Sequence, residues 1–141
     1  AMRGAWAGLT WTHTLGHLYR AVIEGVALEY GLYAAILREL YPKLRLKELR
    51  ITGGGEKSPV WNRIKANVLG TPVVRIAQPE GAPMGAALVA GYGAGVFKDL
   101  GQAAAAWVRE GARQEPDPGR KTYYEKRVMR YQGLMRALED W

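Results

Sequence analysis

Leu49-Arg50-Ile51-Thr52-Gly53-Gly54-Gly55-Glu56-Lys57-Ser58-Pro59 is the stretch on which the fold turns. Leu49 to Thr52 alternates apolar and polar residues, which predicts a strand that stops at three consecutive glycines. Helical spacing begins at Ser58. Glycine lacks a Cβ and adopts φ > 0 freely, so the run permits a tight turn on which a flat ligand can lie. The N–H donors opening the next helix have no partner inside it and attract electron-rich groups. Strand, glycine turn and helix N-terminus together form the architecture of a nucleotide contact.

Two better-known nucleotide loops fail on their residues. A P-loop needs glycine directly before Lys-Ser, where this chain has Glu56 before Lys57-Ser58. A dinucleotide fingerprint needs a third glycine at Ser58 and an acidic residue closing the next strand, and neither is present. A strand-to-helix turn without a ligand is the plain alternative; three glycines together favour a ligand.

Working outward, Gly70 and Pro72 stop the helix that starts at Ser58, near Leu69. Val73 to Ile76 predicts a second strand. Gln78 to Pro83 reads as a loop, Met84 to Tyr92 as a small-residue helix, and Gly93-Ala94-Gly95 as a break. A further helix is expected over Gln102 to Arg109, and Glu115-Pro116-Asp117-Pro118-Gly119 is a turn or linker. Tyr124, Val128, Tyr131, Met135 and Leu138 then line one face of an amphipathic helix. On the amino-terminal side, Arg3 to Thr10 reads as a short strand or extended lead-in. Thr12 or Thr14 caps a long helix running to about Leu40, where Pro42 prevents continuation. Its aliphatic residues predict a largely buried element. Alternating strands and helices give an α/β layer structure.

At 141 residues and 48% hydrophobic content, the chain fits one globular domain with a real core. It has no cysteine, which excludes disulfides and thiolate metal sites and fits a cytoplasmic protein. Its two histidines, His13 and His17, share a helix face without a third ligand, so they read as structural or exposed and no metal site is expected. No signal-peptide or membrane-spanning pattern is seen. Ala1-Met2 reads as an added residue before an initiator-like methionine, at the start of a cut fragment. The net charge of +7 invites a nucleic-acid reading. The basic residues are scattered, however, with a denser patch only at Lys43, Arg45, Lys47 and Arg50. They read as solvated surface.

Two further elements matter. Glu80 to Ala87 places small residues on the first turn of a helix that follows a strand, where either a neighbouring helix or a ligand can approach; taken alone this reads as helix packing, and paired with the glycine turn it suggests two helix N-termini flanking one site. Gly4-Ala5-Trp6-Ala7-Gly8-Leu9 is followed after seven residues by His17-Leu18-Tyr19-Arg20-Ala21-Val22-Ile23-Glu24. There Arg20 and Glu24, four apart, are placed to pair along the helix.

That last element resembles the second signature of the FGGY family of carbohydrate kinases position by position. The glycine run, continued by Ser58-Pro59-Val60-Trp61-Asn62, resembles the family's adenosine-binding motif, and Glu80 to Ala87 its later loop-to-helix element. Within the family, Gly-Leu-Thr-Trp-Thr-His-Thr and Arg-Ala-Val-Ile-Glu-Gly look most like xylulokinases; glycerol-kinase-like members are a weaker match. The resemblance implies residues 1–141 of a carboxy-terminal, nucleotide-binding part of a sugar kinase. Its fold would be a partial α/β domain of the actin/hexokinase (ribonuclease H-like) type, lacking its first strands.

By the same resemblance Gly54 and Ser58 contact the adenine of ATP or ADP, Gly53 and Gly55 shape the turn, and Asn62 is a further candidate. Gly85 and Ala86 pack closely around the site. Magnesium comes with the nucleotide. The family's first phosphate loop, sugar site and general-base aspartate belong to its amino-terminal domain, so no catalytic residue is assigned here. Expected partners are the nucleotide, a ketopentose such as xylulose through the other domain, and other copies of the chain, because a sheet cut short leaves open edges. No membrane or specific nucleic acid is expected. Rival readings are a non-catalytic interaction module derived from a kinase and a basic nucleic-acid-binding domain.

Overall fold

Thr14 opens the first and longest helix of the computed structural model, which describes residues 4–77 and 81–138. This helix, α1, spans Leu15–Leu40 and ends at Tyr41, just before Pro42. The Thr14 N–H donates to His17 Nδ1 at 3.1 Å, and the same ring nitrogen lies 2.9 Å from Thr14 Oγ1. One turn earlier His13 repeats the device, with its Nδ1 2.9 Å from the Thr10 N–H. The two rings meet edge to face at 5.5 Å. The histidines thus close the turns leading into α1. Residues 4–10 form an extended lead-in with no regular strand, turning at Gly8 where φ is +80°; Arg3 lies outside the described residues.

Strand β1 (Leu49–Ile51), helix α2 (Pro59–Leu69) and strand β2 (Val73–Ile76) make a parallel β-α-β unit, with Leu49 opposite Val73 and Ile51 opposite Arg75. Gly70 ends α2 in the left-handed conformation (φ 60°, ψ 31°), as glycine at that position does readily. β2 is the centre of the sheet, and its Val73 and Val74 are fully buried. Each such side chain contributes roughly 1.5–3 kcal/mol by leaving water.

The third strand differs from expectation. α3 covers Gly81–Gly93 and α4 covers Leu100–Trp107, and Glu110–Gln114 then forms β3, antiparallel to β2. The helix expected to reach Arg109 stops at Trp107. β3 reads Glu-Gly-Ala-Arg-Gln with four of its five residues exposed, so no apolar alternation announces it. Gly111 fits closely there: a Cβ would lie 3.3 Å from the Arg75 carbonyl oxygen, beside an irregularity in the ladder. α3 begins at Gly81, so residues 81–83, expected as loop, are helical. Pro83 sits in the first turn, where its missing N–H costs nothing. Gln78 to Glu80 lie outside the described residues.

α5 (Lys121–Ala137) closes the fold against α1 and α2. Tyr124 is buried, and Val128, Tyr131, Met135 and Leu138 are half-buried, the face that their spacing predicts. The turn before it is held to α2 by the Asp117 N–H, which donates to Asn67 Oδ1 at 2.7 Å.

α1 corrects a second expectation. Only Ala27, Leu28, Gly31 and Ala34 are buried. Leu15, Val22, Val26 and Ile36 are exposed. The buried line consists of small residues because α1 crosses α2 and α5 closely: a Cβ at Gly31 would stand 2.7 Å from Val128 Cγ2 and 2.8 Å from Val68 Cγ1. Leu15, Val22, Val26 and Ile36 lie on the side of α1 away from that line.

Candidate functional site

The parallel strand β1 delivers the chain to Gly53, which leaves it at φ +91° and ψ −173°, a conformation open to glycine and strained for other residues. A single 3-10 turn, Gly54–Lys57, intervenes before α2. Ser58 then caps α2, its Oγ accepting from the Trp61 N–H at 3.3 Å. A cap of this kind is worth about 1 kcal/mol. The Ser58 hydroxyl keeps its own proton for a further acceptor.

Each glycine of the run answers to a different requirement. Gly53 supplies the positive φ. Gly55 lies against the indole ring of Trp61, where a Cβ would collide with the ring carbons. Gly54 has neither reason: its φ is not positive, it is exposed, and a Cβ there would meet nothing within 4 Å. The chain itself does not need glycine at position 54.

Asn62 is bonded within the chain. Its Nδ2 donates to the Glu56 carbonyl at 2.7 Å, and its Oδ1 accepts from Lys65 Nζ at 3.4 Å. The amide therefore ties α2 to the turn. Gly81, the first residue of α3, packs on Thr52 at the end of β1, a Cβ there standing 2.6 Å from Thr52 Cγ2. The start of α3 thus sits beside the glycine run, as the sequence suggests. Gly85 and Ala86 do not pack closely: no described atom would lie within 4 Å of a Gly85 Cβ, and Ala86 is exposed. They lie beyond the first turn, past the contact that Gly81 makes.

Beneath the turn is a buried ionic cluster that the sequence pattern does not reveal. Glu56 is 3% exposed and meets Arg75 Nε through Oε2 at 2.6 Å. Lys65, 4% exposed, lies 3.9 Å from the centre of the Trp61 ring. Burial lowers the Lys65 ammonium below the usual lysine range, and the Glu56 carboxylate partly opposes that. The only advance signal is the i, i+4 spacing of Trp61 and Lys65 on one helix face.

Elsewhere two arginines of the sheet are paired within the chain. Arg50 pairs with Glu48 and Glu110 at 2.8 Å each, and Arg113 with Glu48 and Glu115 at 2.9 and 2.6 Å. This accounts for one member of the basic patch, Arg50. Arg20 and Glu24 do approach, at 3.9 Å. Among the described residues no group of three or more His, Cys, Asp or Glu is placed to hold a metal ion, and no helix is long and apolar enough to cross a membrane.

Fold and turn together define an α/β domain fragment of the actin/hexokinase-like class. The C-terminal domain of the FGGY family of carbohydrate kinases matches residues 1–94, and the chain belongs to that family. It is 30% identical over 139 residues to the xylulose kinase of Staphylococcus epidermidis, covering 99% of this chain and 28% of that protein. A glycerol kinase of Citrifermentans bemidjiense is 40% identical over 119 residues, covering 84% of this chain and 23% of its own length. The crystal structure of a xylulose kinase from Rhodospirillum rubrum superposes with a TM-score of 0.78 at 34% identity, over 95% of this chain and 27% of that one. The chain thus spans about a quarter of the length of these relatives. Because relatives of different substrate match, the sugar is not fixed by similarity.

Proposed function

We propose that this chain supplies the adenosine-holding side of an ATP-dependent carbohydrate kinase whose acceptor is a ketopentose such as xylulose. The observation that carries the reading is Gly54, a bare and exposed backbone position for which the fold itself has no use. ATP fits this surface: Gly53 and Gly55 shape the turn, Gly54 offers a flat face, Ser58 offers a hydroxyl, and Asn62 fixes the turn from behind. The nucleotide, with its magnesium, would supply the transferable phosphoryl group.

Phosphoryl transfer further demands an activated hydroxyl held in line with that group. The resemblance assigns these parts to the family's other domain, so residues 1–141 are a nucleoside-holding module that does not phosphorylate sugar alone. A cytoplasmic setting follows from the nucleotide and sugar substrates of this reading.

Calorimetric titration of the chain with ADP tests the proposal. The wild type is expected to bind, and Gly54→Val to bind far more weakly with an unchanged circular dichroism spectrum. Equal affinity of the two proteins would refute the assignment. ATP-dependent phosphorylation of xylulose by the chain alone would refute the division of labour.

A second reading, an assembly module, is favoured by one observation. The exposed aliphatic face of α1 is suited to association with a second copy.

A further inference from the structure

We propose that Glu56 is the positioning residue of the glycine turn, fixing through Arg75 the surface that Gly54 presents. The proposal rests on reading that turn as the nucleoside site. A glutamate in a glycine-rich surface turn would ordinarily lie in water. Here the side chain points inward, 1% exposed, and Oε2 accepts a charge-assisted hydrogen bond from Arg75 Nε at 2.6 Å.

The geometry makes Glu56 the point at which the turn is fastened from three directions. Its side chain reaches Arg75 on β2. Its carbonyl accepts from Asn62 Nδ2 on α2, at 2.7 Å. Its N–H donates to the Gly53 carbonyl at 3.2 Å, closing the turn on itself. Arg75 is a firm anchor because its backbone stands opposite Ile51 in β1, with Gly111 of β3 packed on its carbonyl. Three glycines in succession would otherwise leave this segment among the least constrained of the chain.

The cost of the arrangement argues for a role beyond stability. Glu56 Oε1 is buried and makes no hydrogen bond to a described residue, and the Trp61 indole nitrogen beside the turn is in the same state. An ion pair that buries its carboxylate and leaves one of its oxygens unsatisfied contributes little stability, and apolar residues of similar volume commonly do as well or better. What the ion pair adds is direction: a carboxylate and a guanidinium meet in one geometry, which apolar contacts do not enforce. Glu56 touches no nucleotide in this scheme and acts only by holding Gly54 in place.

The test compares Glu56→Ala, Arg75→Ala, the double variant and Glu56→Gln by two measurements. ADP titration reads affinity, and hydrogen exchange of the amides of residues 54–57 in the ligand-free chain reads the turn directly. Each alanine variant is expected to lose about tenfold in ADP affinity. The double variant should lose no more than either single one, and Glu56→Gln, which keeps an acceptor, should recover part of the loss. Exchange at the turn should speed up in Glu56→Ala while Ile64 to Leu69 of α2 stay protected.

Wild-type affinity in Glu56→Ala, additive losses in the double variant, or unchanged exchange at the turn would each overturn the positioning role. Absence of ADP binding by the wild type would overturn the nucleotide reading and this role with it. Exchange at the turn would separate that outcome from a simple failure of the fastening. If Arg75→Ala, which strands the buried Glu56 carboxylate, does not fold, Glu56→Ala and Glu56→Gln carry the same comparison, because the Arg75 side chain is 39% exposed and solvates readily when unpaired.

Discussion

Gly55 lies directly against the indole ring of Trp61, and the ring in turn carries the Lys65 ammonium on its face at 3.9 Å. The glycine is therefore a packing residue, whereas its neighbour Gly54 faces open space. Alanine at the two positions should separate these roles. Gly55→Ala forces the indole to shift in a packed site, a change that costs about 1–3 kcal/mol. Gly54→Ala, on an open surface without positive φ, should stay within about 0.5 kcal/mol of wild type. Urea unfolding of the two variants measures the difference, and equal losses would contradict the geometry.

Lys65 gives a pH dependence of definite sign. Burial lowers its folded-state value below the ordinary 10.5. Between that lowered value and 10.5 the unfolded chain holds a proton that the folded chain has released, so stability rises with pH across this window. Tyr124 works in the opposite sense. Burial, then the nearby Glu24, raises its phenol above the ordinary 10.0. The unfolded chain therefore deprotonates first above that value, and stability falls. The difference in unfolding free energy between wild type and Lys65→Met isolates the lysine. It should move in favour of wild type as pH climbs from 8 toward about 10.5. A pH-independent difference would show that Lys65 is not desolvated in solution.

What the sequence made legible, and what it did not, follows from where each signal resides. The β1 turn and α2 are local: an alternating strand, three glycines, a serine cap and a C-terminal glycine each act on their own neighbours, and all are seen in place. Thr14, Gly70 and the apolar face of α5 are legible for the same reason. β3 is not, because its Glu-Gly-Ala-Arg-Gln residues are chosen for an exposed strand paired along one side only. Glu56 and Arg75 are nineteen residues apart and meet only after the parallel crossover forms. No periodicity marks a charged residue that a turn will fold inward. The exposure of α1 is not legible, because hydrophobic spacing reports which face is apolar and not whether anything covers it.

The crossing of α1 with α5 rests on Gly31. A Cβ there would stand 2.7 Å from Val128 Cγ2 and 2.8 Å from Val68 Cγ1, both branched methyl groups on other helices. Gly31→Ala gains about 1 kcal/mol in helix propensity, yet overpacking of this kind costs about 1–3 kcal/mol. A net loss is expected, because two neighbours on different helices would both have to move. Val128→Ala destabilises the wild type by removing buried methyls, but on the Gly31→Ala background it makes room for the new Cβ. The two changes should therefore couple favourably by roughly 0.5–1 kcal/mol. Thermal or urea unfolding of the four proteins gives the coupling, and strict additivity would mean that α1 and α5 do not cross as closely as described.

The apolar side of α1 carries the last prediction. Leu15 is 82% exposed and Val22 is 51% exposed, and they continue the helical spacing of Val26 and Ile36 along one uncovered face. Trp11, just before the helix, is fully exposed as well. An aliphatic stripe of this length in water favours burial against another surface, at roughly 25 cal/mol for each Å² removed from solvent. The chain should therefore sediment as a dimer or larger species at micromolar concentration. A Leu15→Glu, Val22→Lys double variant places charges on that face without touching the buried line of Ala27, Leu28, Gly31 and Ala34. It should shift the protein toward monomer while leaving its helix content unchanged. Analytical ultracentrifugation over a concentration series decides the matter. A wild-type chain that stays monomeric throughout would show that this face is not an association surface between copies.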